Sequence, residues 1–218
     1  MSDRCLLYYI TDRSQFRGDE ADRRHALSGK IIDAARAGVD YVQLREKDLS
    51  AKELEMLARE ALAGVRENSA STQLLLNSRA DVALAVGADG VHLRSDDLSA
   101  REVRSVVQLS AAGSRSTARF LVVASCHTNE EVIGAESEGA DLAVFAPVFG
   151  KRGAFGMPPA GLAALRLACG SQLPVIALGG VTIGNAASCL DAGAAGIAGI
   201  RLFQENEIED VVRALRAL

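Results

Sequence analysis

The chain has no tryptophan, and aromatic residues make up only 4% of it. Its core must therefore be built from Ala, Val, Leu and Ile. There is no basic excess: the formal net charge is −4, and no arm interleaves cations with aromatics. Both absences argue against a nucleic-acid-binding protein. The four cysteines (Cys5, Cys126, Cys169 and Cys189) are widely spaced and form no C-x-x-C. Asp3 and Arg4 precede only a short apolar run, which does not read as a signal peptide. No apolar stretch approaches the roughly 20 residues needed to span a bilayer. The expectation is a reduced, cytoplasmic protein with no membrane partner.

What is present is ordinary in bulk and regular in order. Apolar residues make up 49% and charged residues 24% of 218 positions, within the globular range. Short apolar runs that read as buried strands recur at 6–11, 41–45, 73–77, 90–94, 121–126, 142–149, 174–179 and 197–203. Between them lie segments of helical spacing, such as AKELEMLAREALAGVRE at 51–67 and SAREVRSVVQ at 99–108. Apolar runs alternating with helices indicate β/α units and a parallel sheet. About eight of each in one chain of this length predicts an α/β fold, a (β/α)8 TIM barrel forming one domain over 1–218.

An internal repeat supports the barrel. AARAGVDYVQL (34–44), LAVGADGVHL (84–93), ESEGADLAVF (136–145) and LDAGAAGIAGI (190–200) share a helix end, a glycine, small or acidic residues and an apolar strand. The glycines Gly38, Gly87, Gly139 and Gly193 stand about fifty residues apart, room for two β/α units. Each is placed to supply the left-handed conformation that closes a helix. The least regular stretch, VFGKRGAFGMPPAG at 148–161, is expected to be a lid. SAAGSRSTAR at 110–119 follows a helix and reads as a connection on the opposite rim.

In such a barrel the site lies at the C-terminal ends of the strands. The polar residues collected there are Thr11 and Asp12; Gln43, Arg45 and Lys47; Asn77 and Ser78; His92, Arg94, Asp96 and Asp97; Ser125 and His127; Lys151 and Arg152; Gly179 and Gly180; and Arg201. So many cations on one rim point to an anionic ligand, because buried charges are costly unless paired. Gln43, Arg45 and Lys47 share one face of their strand by its period of two, and can grip phosphate oxygens. Arg45 and Lys47 could instead pair with Glu46, Asp48 or Glu53. Gly179-Gly180 before a helix, followed by GIAGIRLF with Gly199, suits a phosphate held by the loops after strands 7 and 8. Asp97 can hold Mg2+ through one carboxylate, waters and substrate oxygens, whereas Asp96 reads as part of a polar loop before a helix capped by Ser99 and Glu102. His127 is equally suited to proton transfer and to capping a helix near Thr128. His92 reads as an interior hydrogen-bonded residue, and His25 as solvated.

Taken together, YYITDR at 8–13, QLREKD at 43–48, LNSRADVALAVGADGVHLRSDDL at 76–98, ASCHTNEEV at 124–132, FAPVF at 145–149 and IALGGVTIGNAASCLDAGAAGIAG at 176–199 resemble the thiamine phosphate synthase and thiazole tautomerase superfamily. The resemblance covers nearly the whole chain. It implies an Mg2+-dependent transferase that joins hydroxymethylpyrimidine pyrophosphate to thiazole phosphate and releases pyrophosphate. By that likeness Gln43, Arg45, Lys47 and Asn77 hold the pyrimidine pyrophosphate, Asp97 binds Mg2+ and Ser125 contacts the pyrophosphate. Gly180 and the strand 8 loop, with Gly199 and Arg201, seat the thiazole phosphate.

Two departures stand out. The synthase pattern has Asn-Asp where this chain has Asn77-Ser78, and a Thr-x-Thr-Lys loop where it has Gly150-Lys151-Arg152-Gly153. Lys151 or Arg152 could replace the lost lysine. Both departures lean toward the tautomerase branch, in which His127 would move protons, while Lys47 and Asp97 are synthase features. The synthase leads, with a tautomerase or a non-catalytic barrel binding a thiamine intermediate as alternatives. The partners implied are small phosphorylated molecules, and self-association is left open.

Overall fold

The structure, a computed structural model, describes residues 4–111, 119–150 and 158–218. Eight parallel strands close into a barrel in sequence order: β1 Leu6–Ile10, β2 Tyr41–Leu44, β3 Gln73–Asn77, β4 Gly90–Leu93, β5 Leu121–Cys126, β6 Leu142–Phe145, β7 Val175–Ala177 and β8 Gly196–Gly199. The ring closes by pairing β1 with β8, Leu6 opposite Gly196 and Tyr9 opposite Gly199. The α/β barrel expected from the alternation of elements is therefore present.

Alternation within each strand sorts the core into two layers. Tyr8, Ile10, Leu75, Val123, Leu142, Val144, Ile176 and Ala198 pack together inside the barrel. Their neighbours Leu7, Tyr9, Val42, Leu44, Leu74 and Leu76 face outward. They meet a surrounding shell of helices that includes α1 (Glu20–Arg36), α2 (Ala51–Asn68), α3 (Ala80–Val86), α4 (Ala100–Ala111), α5 (Asn129–Ser137), α6 (Gly161–Ala168) and α7 (Ile183–Asp191). The helix α2 shows the design. Ser50 and Glu53 cap it reciprocally, and Leu54, Leu57, Ala58, Ala61, Leu62 and Val65 form its buried stripe.

Two strands end four residues short of the expectation. The sixth was expected to run to residue 149, but β6 stops at Phe145, just ahead of Pro147, which has no N–H to donate. The eighth was expected to run to residue 203. It stops at Gly199, and Arg201–Gln204 form a short helix, α8, followed by α9 at Ile208–Arg216. The described residues thus hold nine α-helices rather than eight. Residues 112–118 of the expected connection at 110–119 lie outside the described part.

The repeat has a physical purpose. Gly38, Gly87, Gly139 and Gly193 all take positive φ, as a left-handed helix stop requires. Two residues on, Asp40 clasps Leu7: its N–H donates to the Leu7 carbonyl, and its Oδ2 accepts the Leu7 N–H at 2.7 Å. Asp89 clasps Leu74 (2.8 Å) and Asp141 clasps Val122 (2.7 Å) in the same two-way fashion. The fourth copy has Ala195, which keeps only the backbone half, to Val175. Each aspartate thus ties the entry of an even strand to the odd strand before it. Asp40 and Asp141 are further braced by arginines, Arg4 and Arg216 on the first, Arg104 and Arg119 on the second.

A buried backbone donor left unmade costs about 1–3 kcal/mol. Asp89→Ala, which strands the Leu74 N–H, is therefore expected to lower unfolding free energy by about 2 kcal/mol in urea titrations, with Asp89→Asn costing about half as much.

Candidate functional site

Because all eight strands run parallel, their C-terminal ends open on one rim. The loops after β1 and β2 meet there around a buried carboxylate. Glu46 is 7% exposed. Its Oε1 accepts the Thr11 hydroxyl at 2.6 Å, and its Oε2 accepts the Arg13 backbone N–H at 3.0 Å and the Arg13 guanidinium at 3.1 Å. Thr11 Oγ1 in turn accepts the Arg45 N–H at 2.9 Å. Arg13, itself buried, also forks onto both oxygens of Asp48 (2.7 and 2.8 Å) and reaches Glu20. Burial pushes the Glu46 carboxyl up, whereas the Arg13 guanidinium holds the exposed Asp48 carboxyl below its usual range. Glu53 is engaged by Ser50 and lies 3.9 Å from Arg24.

The acids weighed in the sequence as partners of Arg45 and Lys47 have other partners here. Arg13 takes Glu46 and Asp48, and Glu53 serves as a helix cap. Arg45 is half-buried and forms no salt bridge among the described residues; Lys47 is exposed beside it. A cleft of about 330 Å³ separates the two loops, lined by Asp12, Arg13, Ser14, Arg45, Glu46, Lys47 and Asp48. Sequence reasoning missed Arg13 as the organiser. The available signal was a cation directly after a buried strand, in YYITDR.

Below Arg45 a layer of polar side chains points into the barrel. Gln43, on β2, is 1% exposed and donates to Asn77 Oδ1 on β3 at 2.9 Å. Asn77 donates to Ser78 Oγ at 3.0 Å. Gln43 Oε1 is buried without a partner among the described residues. On β4, His92 is 3% exposed and bridges two strands, its Nδ1 2.7 Å from the Tyr8 hydroxyl on β1 and its Nε2 2.8 Å from Ser125 Oγ on β5. Burial, helped by the nearby Arg45 charge, pushes the imidazole pKa down to about 3. His92 is the interior, hydrogen-bonded residue expected from the sequence. Its two partners were not foreseen.

The remaining candidates are distributed around the same rim. Ser78 takes φ 62°, an uncommon left-handed conformation for a side-chain-bearing residue, and its N–H donates to the His92 carbonyl. Asp97 Oδ2 accepts the Arg94 N–H at 2.7 Å, and Asp96 pairs with the Arg94 side chain. Ser99 and Glu102 form the expected cap. No group of three metal-ligating side chains occurs among the described residues. The helix cap near strand 5 is Thr128, not His127. His127 instead sets its Nδ1 2.6 Å from the Ala146 carbonyl, which accepts only from Nδ1–H.

Gly179 and Gly180 both take positive φ and press against the loop after β6. A Cβ on Gly179 would sit 2.7 Å from Pro147 Cα, and one on Gly180 would sit 2.8 Å from Phe149 Cβ. The two stems of that loop are tied together, Ala160 N–H to Pro147 O and Gly161 N–H to Val148 O. Lys151 and Arg152, with the rest of 151–157, lie outside the described residues. Gly199 ends β8, and Arg201 opens α8 on the exposed surface instead of continuing the strand.

The rim thus sets cations and carboxylates at its edge above a layer of polar, uncharged side chains. The family model described as thiamine monophosphate synthase matches residues 7–203. A thiamine-phosphate synthase from Methanoculleus marisnigri is 36% identical over 96% of this chain and 93% of its own length. One from Chlorobium luteolum is 39% identical over 85% of this chain and 84% of its own. Among solved structures, thiamine phosphate pyrophosphorylase from Pyrococcus furiosus superposes with a TM-score of 0.78 at 27% identity, covering 97% and 94% of the two chains. The chain belongs to the thiamine monophosphate synthase family.

The depressed His92 pKa has a measurable consequence. The fold favours the neutral ring, so between pH 6.5 and about 3 the unfolded chain binds the extra proton and stability is lost as pH falls. From pH 7 to pH 5 this residue is expected to remove ~2 kcal/mol of unfolding free energy, a loss that His92→Gln avoids in paired urea titrations.

Proposed function

We propose that the chain is a thiamine-phosphate synthase, a transferase that condenses hydroxymethylpyrimidine pyrophosphate with thiazole phosphate. The C–O bond from the pyrimidine methylene to pyrophosphate breaks, the leaving group departs with the electron pair, and a C–N bond forms to the thiazole nitrogen. Such a displacement needs charge neutralised on the leaving group more than it needs a strong base.

The observation that carries this reading is Gln43 Oε1, a buried acceptor without a partner among the described residues, two residues before Arg45. An unmade buried acceptor invites a ligand donor. The exocyclic amine of an aminopyrimidine supplies one, and Asn77 holds the amide that receives it. Arg45 and Lys47 then bind the pyrophosphate, and the Ser125 hydroxyl donates to it. Gly179, Gly180 and Gly199 offer close backbone approach to the thiazole phosphate, with Arg201 beside it. Asp97 fits Mg2+ through its second oxygen, in the mode that uses one carboxylate, waters and substrate phosphates. When bound, Mg2+ would neutralise charge on the pyrophosphate. Ser78 offers no second carboxylate. The protein works in the cytoplasm on these small phosphorylated molecules; no helix among the described residues is long and apolar enough to cross a membrane.

One observation favours a second reading, thiazole tautomerase. With Nδ1–H donating to Ala146 O, the neutral His127 ring carries its lone pair on Nε2, the nitrogen suited to accept a proton.

Pyrophosphate release from the two substrates with Mg2+ decides between the readings. The synthase reading expects release, with KM for the pyrimidine substrate raised about tenfold in Lys47→Ala and more in Arg45→Ala, since hydrogen bonds to charged groups are worth ~1.5–3 kcal/mol. Unchanged KM in both would remove the proposed pyrophosphate site. No release, together with proton exchange on thiazole carboxylate phosphate that His127→Ala abolishes, would establish the tautomerase instead.

A further inference from the structure

We propose that Tyr8 fixes the His92 imidazole as its Nε2–H tautomer, which turns the Ser125 hydroxyl into a hydrogen-bond donor toward the departing pyrophosphate. The inference rests on the reading that Ser125 contacts that group, and adds two positioning residues that never touch it.

The argument follows the hydrogens. Tyr8 is fully buried, and among the described residues its hydroxyl has one partner, His92 Nδ1 at 2.7 Å. A phenol has a single O–H. Leaving that donor unmade in the interior is costly, whereas an under-used oxygen lone pair is tolerated more readily. Tyr8 therefore donates, and Nδ1 must present its lone pair. A neutral imidazole carries one N–H, so the proton is on Nε2, which faces Ser125 Oγ at 2.8 Å. Ser125 Oγ accepts it. Its own hydrogen has no acceptor among the described residues and is available at the half-buried end of β5.

The opposite tautomer fails on both sides. Nδ1–H would donate to Tyr8 and strand the phenolic hydrogen. Ser125 would spend its hydrogen on Nε2 and present only lone pairs, which repel an anion. The ring stays neutral because burial and the adjacent Arg45 both oppose a second proton. The edge-on packing of Tyr8 against His92, with centroids 5.7 Å apart at 72°, holds the ring in this orientation.

The direct test is nitrogen NMR on intact protein with 15N-labelled histidine, the three histidines being assigned by substituting His25 and His127 in turn. Expected are a pyridine-like Nδ1 and a protonated, pyrrole-like Nε2 for His92, with the Nδ1 signal moving to that of an unbonded nitrogen in Tyr8→Phe. A protonated Nδ1, or an Nδ1 signal indifferent to Tyr8→Phe, overturns the inference without relying on activity. The kinetic test is a double-mutant cycle. His92→Leu and Ser125→Ala are each expected to lower kcat by about tenfold or more, the worth of a hydrogen bond to a charged group. The double variant should match Ser125→Ala alone, because His92 acts through the serine, and His92→Gln, which keeps an N–H, should recover part of the loss. Additive losses would mean that His92 is only structural. Full turnover in Ser125→Ala would instead remove the Ser125 contact itself, while the NMR result would still judge the tautomer.

Discussion

The buried pair of Arg13 and Glu46 is the constraint on which the rim depends. A carboxylate 7% exposed cannot remain unpaired without a penalty of several kcal/mol, so the loop after β1 folds over to deliver Arg13 and Thr11 to it. That act does two things at once. It fastens the β2 loop through the Arg45 backbone, and it ties Glu46 and Asp48 to Arg13. β2 ends at Leu44, so Arg45 and Glu46 lie just past it and Lys47 stands in a turn, not on the strand face that a period of two predicted. One short segment thus anchors itself by a negative charge.

Beneath the rim the same accounting of polar groups shapes the interior. The lower barrel is filled with Leu, Ile, Val and Tyr rings, but at the upper end four consecutive strands each contribute a polar residue: Gln43, Asn77, His92 and Ser125. Buried polar layers are stable only when nearly every donor and acceptor is used. Here the described groups are satisfied in pairs, apart from Gln43 Oε1. The polar layer thus lies directly beneath a rim that carries both cations and carboxylates.

Much of this was legible in the sequence. Period-two alternation placed Gln43 and Arg45 on one face, and the repeat at Gly38, Gly87, Gly139 and Gly193 supported the barrel. Strand ends were harder, because apolar runs continue past the last ladder bond: APVF leaves β6 as loop, and IRLF leaves β8 as helix, which moved Arg201 off a strand. Tyr8 was hidden for a different reason. LLYYI is buried on both faces, so composition gives no hint of which tyrosine points inward. The Tyr8–His92 and His92–Ser125 bonds join residues 84 and 33 positions apart, a juxtaposition that barrel closure creates and local pattern does not contain. Arg13 looked like a loop residue because the carboxylate that recruits it lies on another strand.

The most direct measurement of the central claim is a crystal structure grown with pyrophosphate and Mg2+. The account predicts phosphate oxygens within hydrogen-bonding distance of both the Arg45 guanidinium and the Lys47 ammonium, with Arg13 still on Glu46 and the metal against Asp97. Pyrophosphate bound elsewhere on the barrel, or Arg13 released from Glu46 to take the anion itself, would contradict it.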